Sequence, residues 1–408
     1  MKKIMILAGG NDQIALINEL RAYFNNNVEI ILLDQSKNVR AIDFADKFLP
    51  ISTMDKEAVL KAAIDEKIDY ILTACGDQPM STMAYVSAKL NLPCYLTEES
   101  VRNLTNKLYM KNIMVENEIP TAKYIVVDEK WEHSQLPNFS FPLVVKPVDS
   151  NGSKGVKKVY TKNELNNSLN EAFSYSLSKQ VIIEEFKSGE ELSVDVYVQG
   201  NKAKLLSITA SRKIKENETS FTIVQSYYPA PIKYNENIVL NIAQKIVDVF
   251  ELKDTPLLVQ MIVNDNEYNV VEFSARMGGG SKYKLIHILS GVDIMKVYVE
   301  MVMGNKPNVI PSKIHNNAIM SYVYCNKGKF VSLHNFEELR NKHLIEDYFI
   351  YKMPNSMISQ SDTSSDRVAG FLVVGNSDQE VNAKLNYANS QLQVLDEIGN
   401  DIMKHDLY

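Results

Sequence analysis

Two periods alternate through the first hundred residues. Short apolar runs at 4–8, 28–33 and 70–74 are separated by amphipathic stretches at 13–24, 58–66 and 82–90. Apolar runs spaced by helix-period segments pack as a parallel sheet with helices on its faces. Ligands of such a sheet sit outside the carboxyl ends of its strands. This singles out the loops 9–12, 34–36 and 74–78, with Gly10, Asn11 and Asp77 as candidate substrate contacts. Gly9-Gly10 suits a plain tight turn equally well, and without a full G-x-G-x-x-G a dinucleotide site is disfavoured. Met1-Lys2-Lys3 and the apolar run behind it outline a signal peptide, but the run is too short and ends in glycine. It reads as a buried first strand.

A chain of 408 residues exceeds one compact core. After residue 105 the texture changes to a helix over 107–118, a strand at 124–127, an apolar run over 141–147, strands at 156–160 and 181–185, and a helix over 164–176. This predicts a small α+β unit over 106–190. Alternating runs about Gly200-Asn201 and about 264–267 carry hairpin chemistry. With a helix over 238–250, they predict a larger antiparallel α+β unit over 191–305. Strands at 318–324 and 367–375 and a helix over 380–394 predict a closing domain over 306–408. The expected class is therefore multidomain α/β and α+β, with a Rossmann-like parallel sheet at the N-terminus.

Composition narrows the function classes. The formal charge of -6 comes from 44 basic and 50 acidic residues that are well mixed, so no basic stripe predicts nucleic acid and no block predicts a membrane surface. No run of eighteen apolar residues predicts a transmembrane helix. Cys75, Cys94 and Cys325 are far apart, which supports neither a disulfide framework nor a zinc knuckle and makes the cytoplasm the expected compartment.

Four segments carry chemistry. Lys146 ends an apolar strand, where an ammonium is costly unless an anion meets it, although a lone lysine there can also snorkel. The loop 149–155 that follows holds Asn151, Gly152, Ser153 and Gly155, and suits folding backbone N–H groups over phosphate oxygens. Glu184, Glu185 and Phe186 end another apolar strand, with Lys187 and Glu191 just beyond. They offer an edge for a base and a carboxylate for ribose, or else a solvated acidic turn. In the fourth segment the strand period puts Glu272, Ser274 and Arg276 on one face, ahead of Gly278, Gly279 and Gly280. Carboxylate, hydroxyl and guanidinium together suit magnesium and a phosphoryl group, or an ion pair on a solvated sheet. His287 is a further candidate substrate contact.

The order Lys107, Lys146, glycine-rich loop, Glu184-Glu185-Phe186, Glu191 and Glu272-x-Ser-x-Arg276 resembles the ATP-grasp superfamily across nearly the whole chain. It is most similar in texture to carbamoyl-phosphate-synthase-like and L-amino-acid-ligase-like members. The resemblance implies an ATP-dependent carboxylate–amine ligase that uses ATP and magnesium, acts through an acyl phosphate, takes small-molecule substrates and assembles as a homodimer. It assigns Lys107 and Lys146 to the phosphates and Asn151, Gly152, Ser153 and Gly155 to their cover. Glu184, Glu185, Phe186 and Lys187 go to the base, Glu191 to ribose, Glu272 to magnesium and Arg276 to the acyl phosphate. Gln260 and Ser274 stand where the family carries an acidic residue and an asparagine as metal ligands. The alternatives are a bicarbonate-activating or purine-pathway member and, from a different class, a nucleotide-binding protein without turnover.

Overall fold

The computed structural model describes residues 1–132, 136–150, 155–214, 221–312, 314, 317–359 and 363–407. Its first unit runs β1 (Lys2–Leu7), α1 (Asn11–Tyr23), β2 (Val28–Leu33), β3 (Lys47–Leu49), α2 (Lys56–Glu66), β4 (Tyr70–Leu72), α3 (Asp77–Leu90) and α4 (Glu98–Thr105). The strands form a parallel sheet in the order β3-β2-β1-β4. Ile4, Met5, Ile6 and Leu7 are wholly buried, as a strand covered on both faces requires. Helix entry is set locally. Asp55 and Thr97 accept the amides of Ala58 and Ser100 and so cap α2 and α4. The order in which strands are added reverses between β1 and its parallel neighbour β4. The loops after these two strands therefore open at the same end, where ligands of such sheets bind.

The second unit comprises α5 (Lys107–Glu116), β5 (Tyr124–Val127), β6 (Leu143–Pro147), β7 (Lys157–Val159), α6 (Lys162–Tyr175) and β8 (Val181–Glu185). Its antiparallel sheet has the order β5-β8-β6-β7. Leu143, Val145, Val181 and Ile183 pack on α6 through Leu165, Leu169 and Ala172. Strand alternation then turns Val144, Lys146 and Glu184 to the opposite face.

The remainder is built on one eight-stranded sheet. It contains β9 (Glu190–Gln199), β10 (Lys202–Lys213), β11 (Ile223–Tyr228), α7 (Glu236–Val249), β12 (Thr255–Asn264), β13 (Glu267–Ser274), α8 (Lys282–Ser290) and α9 (Ile294–Val302). There follow β14 (Asn317–Val323), β15 (Gly328–Lys329), β16 (Ser332–His334), α10 (Phe336–Asn341), β17 (Asp347–Ile350), β18 (Met357–Ile358), β19 (Ala369–Gly375), α11 (Asp378–Gln391) and β20 (Gln393–Leu395). The order β13-β12-β9-β10-β11-β14-β19-β17 carries hydrogen bonding straight through residue 306 into the C-terminal segment. Leu192, Val194, Val196 and Val198 of β9 face the core under α7. The alternate residues Ser193 and Asp195 are buried polar groups on the other face, below α8. No helix among the described residues is long and apolar enough to cross a membrane.

Candidate active site

A cleft of about 730 Å³ lies between the second unit's sheet and the eight-stranded sheet. At one end Ala122, Val144, Phe186, Ile262 and Val270 line an apolar slot. Beside it Lys146 Nζ and Lys111 Nζ grip the two oxygens of Glu184 at 2.7 and 2.8 Å, all three side chains being buried. Burial pushes the Glu184 carboxyl up, but the two lysines outweigh it and hold it at about 2. Burial brings the Lys111 ammonium down to about 8 against the pull of Glu184. Glu184 thus balances two lysines while it lines the cleft. Lys107, one turn before Lys111 on α5, donates to the Ser150 carbonyl at the cleft wall. Glu185 and Lys187 line the slot and lie 3.8 Å apart. Glu191 is held by Lys213 at 2.6 Å and by Gln260 Nε2 at 3.2 Å. Gly155 has φ +71°, and a Cβ there would lie 2.8 Å from the Tyr175 ring, so the loop's end requires glycine. Asn151, Gly152 and Ser153 lie outside the described residues.

Further along the cleft Gln260 and Glu272 oppose each other across β12 and β13. Among the described residues Glu272 has neither an ion pair nor a side-chain hydrogen bond, and its carboxylate borders the cleft. Gln260 gives its amide N–H to Glu191, which leaves its carbonyl oxygen. No three His, Cys, Asp or Glu side chains cluster among the described residues. The donor set is therefore one carboxylate and one amide oxygen, which fits magnesium, an ion that completes its shell with water and phosphate oxygens.

Ser274 and Arg276 do share a face, but both turn to the first unit. Arg276 Nε and Nη2 meet Asp77 Oδ1 and Oδ2 at 2.7 and 2.8 Å, and Ser274 Oγ donates to Oδ1 at 2.6 Å. Burial raises the Asp77 carboxyl, and the Arg276 charge overrides it and sets it at about 2. Asp77 is thereby a clamp on the guanidinium as well as a cleft residue, and the Ser274 hydroxyl is engaged with it rather than with Glu272. The glycine run is clasped from the same side. Asp12 accepts the amides of Gly280 and Ser281 at 3.2 and 2.9 Å, Asn11 donates to Ser281 Oγ at 3.0 Å, and Cys75 Sγ meets the Gly278 carbonyl at 3.5 Å. Gly278 and Gly279 line the cleft. Gly10 is exposed and Asn11 part-buried, and neither borders the cleft; His287 is exposed on α8, also away from it.

Residues 105–280 match the phosphoribosylglycinamide synthetase ATP-grasp (A) domain family. The phosphoribosylamine–glycine ligase of Leptospira interrogans is 26% identical over 293 residues, 67% of this chain and 68% of that protein. The chain is an ATP-grasp ligase. Its reaction class is ADP-forming C–N ligation, with ATP and magnesium as the cofactor pair. The phosphoribosylamine–glycine ligase of Pyrococcus furiosus is 24% identical over 329 residues, 76% of this chain and 74% of that one. The structure of an L-amino acid ligase from Bacillus licheniformis superposes with a TM-score of 0.77 at 19% identity, over 97% of this chain and 99% of that one. It shares this ligase's ATP-grasp fold.

Several cleft residues of the ligase escape sequence reading. Lys111 had a signal, since it follows Lys107 by one helical turn on a single face. Lys282 follows the glycine run and is buried against Asp195 at 3.0 Å and Ser193 Oγ. Asp12, from the loop 9–12 already singled out, borders the cleft too; so do Lys213, Tyr322, Tyr351 and Arg367. These last four carry no local signal, because the fold brings them there from four separate segments.

Proposed function

We propose that this ligase converts a substrate carboxylate to its acyl phosphate at the Glu272–Arg276 end of the cleft and transfers the acyl group to an amine. The observation that carries the reading is Glu272: a carboxylate without a partner among the described residues, opposite Gln260, in the same cleft as Lys107, Lys146 and Arg276. The apolar slot takes the adenine face, while the backbone and side chains at 185–187 offer its edge polar contacts. Glu191, already oriented by Lys213 and Gln260, is placed for ribose hydroxyls. Lys107 and Lys146 draw the phosphates to the other side, and Lys146 keeps donors beyond the one it gives Glu184. Bound magnesium, held by Glu272 and Gln260, would neutralise charge on the transferring phosphoryl group.

The substrate carboxylate oxygen attacks the γ-phosphorus and ADP departs. The amine nitrogen then attacks the acyl carbon, phosphate departs and the amine loses a proton. Arg276 spends one donor each from Nε, Nη1 and Nη2 on Asp77 and the Met277 carbonyl. One N–H on each terminal nitrogen remains for the acyl phosphate, in an orientation fixed before substrate arrives. Cytoplasmic action and a homodimer belong to the same proposal. The three cysteines are free, and the structurally similar biotin carboxylase domain from Hydrogenobacter thermophilus is described as a dimer.

The test is a matrix of acids and amines assayed for ADP release, followed by mass analysis. Glycine with phosphoribosylamine and pairs of amino acids are the first members, because the relatives' names contain them. ADP that forms only with an acid and an amine together, with a condensed product, is expected. ADP release that is indifferent to both would overturn the proposal.

A further inference from the structure

Glu184 has more cation than its own charge requires. Lys146 already balances it at 2.7 Å, and Lys111 adds a second buried ammonium at 2.8 Å, so the cluster buries a net positive charge. Such a group is costly, as the fall of Lys111 to about 8 under burial shows. The remaining contacts of Lys111 give the second ammonium a use. Its Nζ donates to Thr121 Oγ at 2.6 Å, in the segment that joins α5 to β5, and lies 5.6 Å from the centroid of the Tyr124 ring. An ammonium cannot accept a hydrogen bond. The Thr121 hydroxyl must therefore turn its own hydrogen away, and it donates to the Val270 carbonyl of β13 at 2.8 Å. Val270 is gripped a second time, its N–H donating to the Pro120 carbonyl at 2.7 Å.

This grip falls on a β-bulge. Gln260 pairs with Glu272 and Met261 with Val270, so Val271 is the extra residue of β13. A bulge re-aims the side chains beside it, and the residue that follows is Glu272. Ala122 and Val270, next to and within the same contact, both line the apolar slot. We infer that Lys111 is a positioning residue: through Thr121 it ties Glu184, the counter-ion of Lys146, to the bulge that presents Glu272. Occupancy of the nucleotide end thereby sets the aim of a carboxylate carried by the other sheet. The inference rests on the ligase reading above for the role of Glu272.

The experiment compares parent enzyme, Thr121→Val, Thr121→Ser and Lys111→Met by hydrogen exchange with and without ATP and by ADP release. Valine keeps the shape of threonine without the hydroxyl, and serine keeps the hydroxyl. In the parent, ATP should slow exchange at both 181–187 and 268–274. In Thr121→Val the slowing at 181–187 should persist and that at 268–274 should be largely lost, while Thr121→Ser follows the parent. Turnover should fall on the order of 10- to 100-fold in Thr121→Val, as for a reacting group held out of place. KM for ATP should stay within about twofold, the split expected of a residue that acts on chemistry rather than binding. Lys111→Met should show a similar loss of kcat, and the double variant no more than either single one, since both break one chain of contacts. Should Lys111→Met not fold, the two Thr121 variants decide. A parental exchange response or parental kcat in Thr121→Val, or losses that multiply in the double variant, overturns the inference while ADP release still supports the ligase. Absence of acid-dependent and amine-dependent ADP would instead sink the ligase reading, and the exchange comparison then decides the coupling by itself.

Discussion

Replacing Glu184 with Gln isolates the electrostatics of the nucleotide end. The carboxylate lies 2.7 Å from Lys146 and 2.8 Å from Lys111, and each of the three side chains is less than a tenth exposed. Glutamine preserves the shape and leaves two buried ammonium groups without a counter-ion, a loss of on the order of 3–5 kcal/mol. Proton linkage gives a second figure. The Glu184 carboxyl drops from 4.5 to about 2 on folding because the lysines outweigh its burial. A depressed carboxyl contributes stability above its unfolded pKa and loses it as pH falls through the folded one, here roughly 3 kcal/mol. Lys111 works in the reverse sense. Burial lowers it from 10.5 to about 8, so the unfolded chain binds more protons between those values and stability rises with pH across that window. Trp131 is the single tryptophan and packs on the second unit's core, so its fluorescence during urea unfolding reads that unit. Glu184→Gln should lose about 3 kcal/mol at pH 7, and the difference should shrink toward pH 2. Methionine at 111, 146 and 184 together should recover most of the loss, because apolar isosteres dispense with all three charges. A Glu184→Gln chain within about 0.5 kcal/mol of the parent at pH 7 would refute the argument.

Three other outcomes are expected. Glu272→Gln should lower turnover on the order of a hundredfold at saturating magnesium with a smaller change in ATP affinity; turnover equal to the parent would remove this carboxylate from the mechanism. Asp77→Asn leaves the Arg276 guanidinium half-clamped, so turnover should fall on the order of tenfold and the melting temperature should drop, as read by ADP release and calorimetry; parental values of both would show that the clamp is idle. Lys146→Ala should weaken ATP binding by on the order of tenfold in a calorimetric titration, and an unchanged affinity would take this lysine out of the phosphate site.

Periodicity alone made much of the secondary structure legible. The strands Val28–Leu33 and Tyr124–Val127 end where their apolar runs end, because strand and helix periods are local properties of neighbouring side chains. Of the residues that the sequence marks, Lys146, Glu184, Glu185, Glu272 and Arg276 all line the cleft. Other elements left weaker traces: α4, β11, α8 and α9 gave no separate signal, and the C-terminal strands joined the large sheet by pairing that spans long stretches of chain. Charge pairing was decided only in three dimensions. Arg276 found Asp77 across 199 residues, Lys282 lies on Asp195 from the opposite face of a strand, and Glu184 met Lys111 rather than open solvent. The free energy of such a pair depends on distance and burial, and neither is encoded by neighbours in the chain. For the same reason the sequence by itself determined which groups this ligase carries and on which elements, while only the tertiary structure decided which charges pair within the protein and which, like Glu272 among the described residues, face the cleft unpaired.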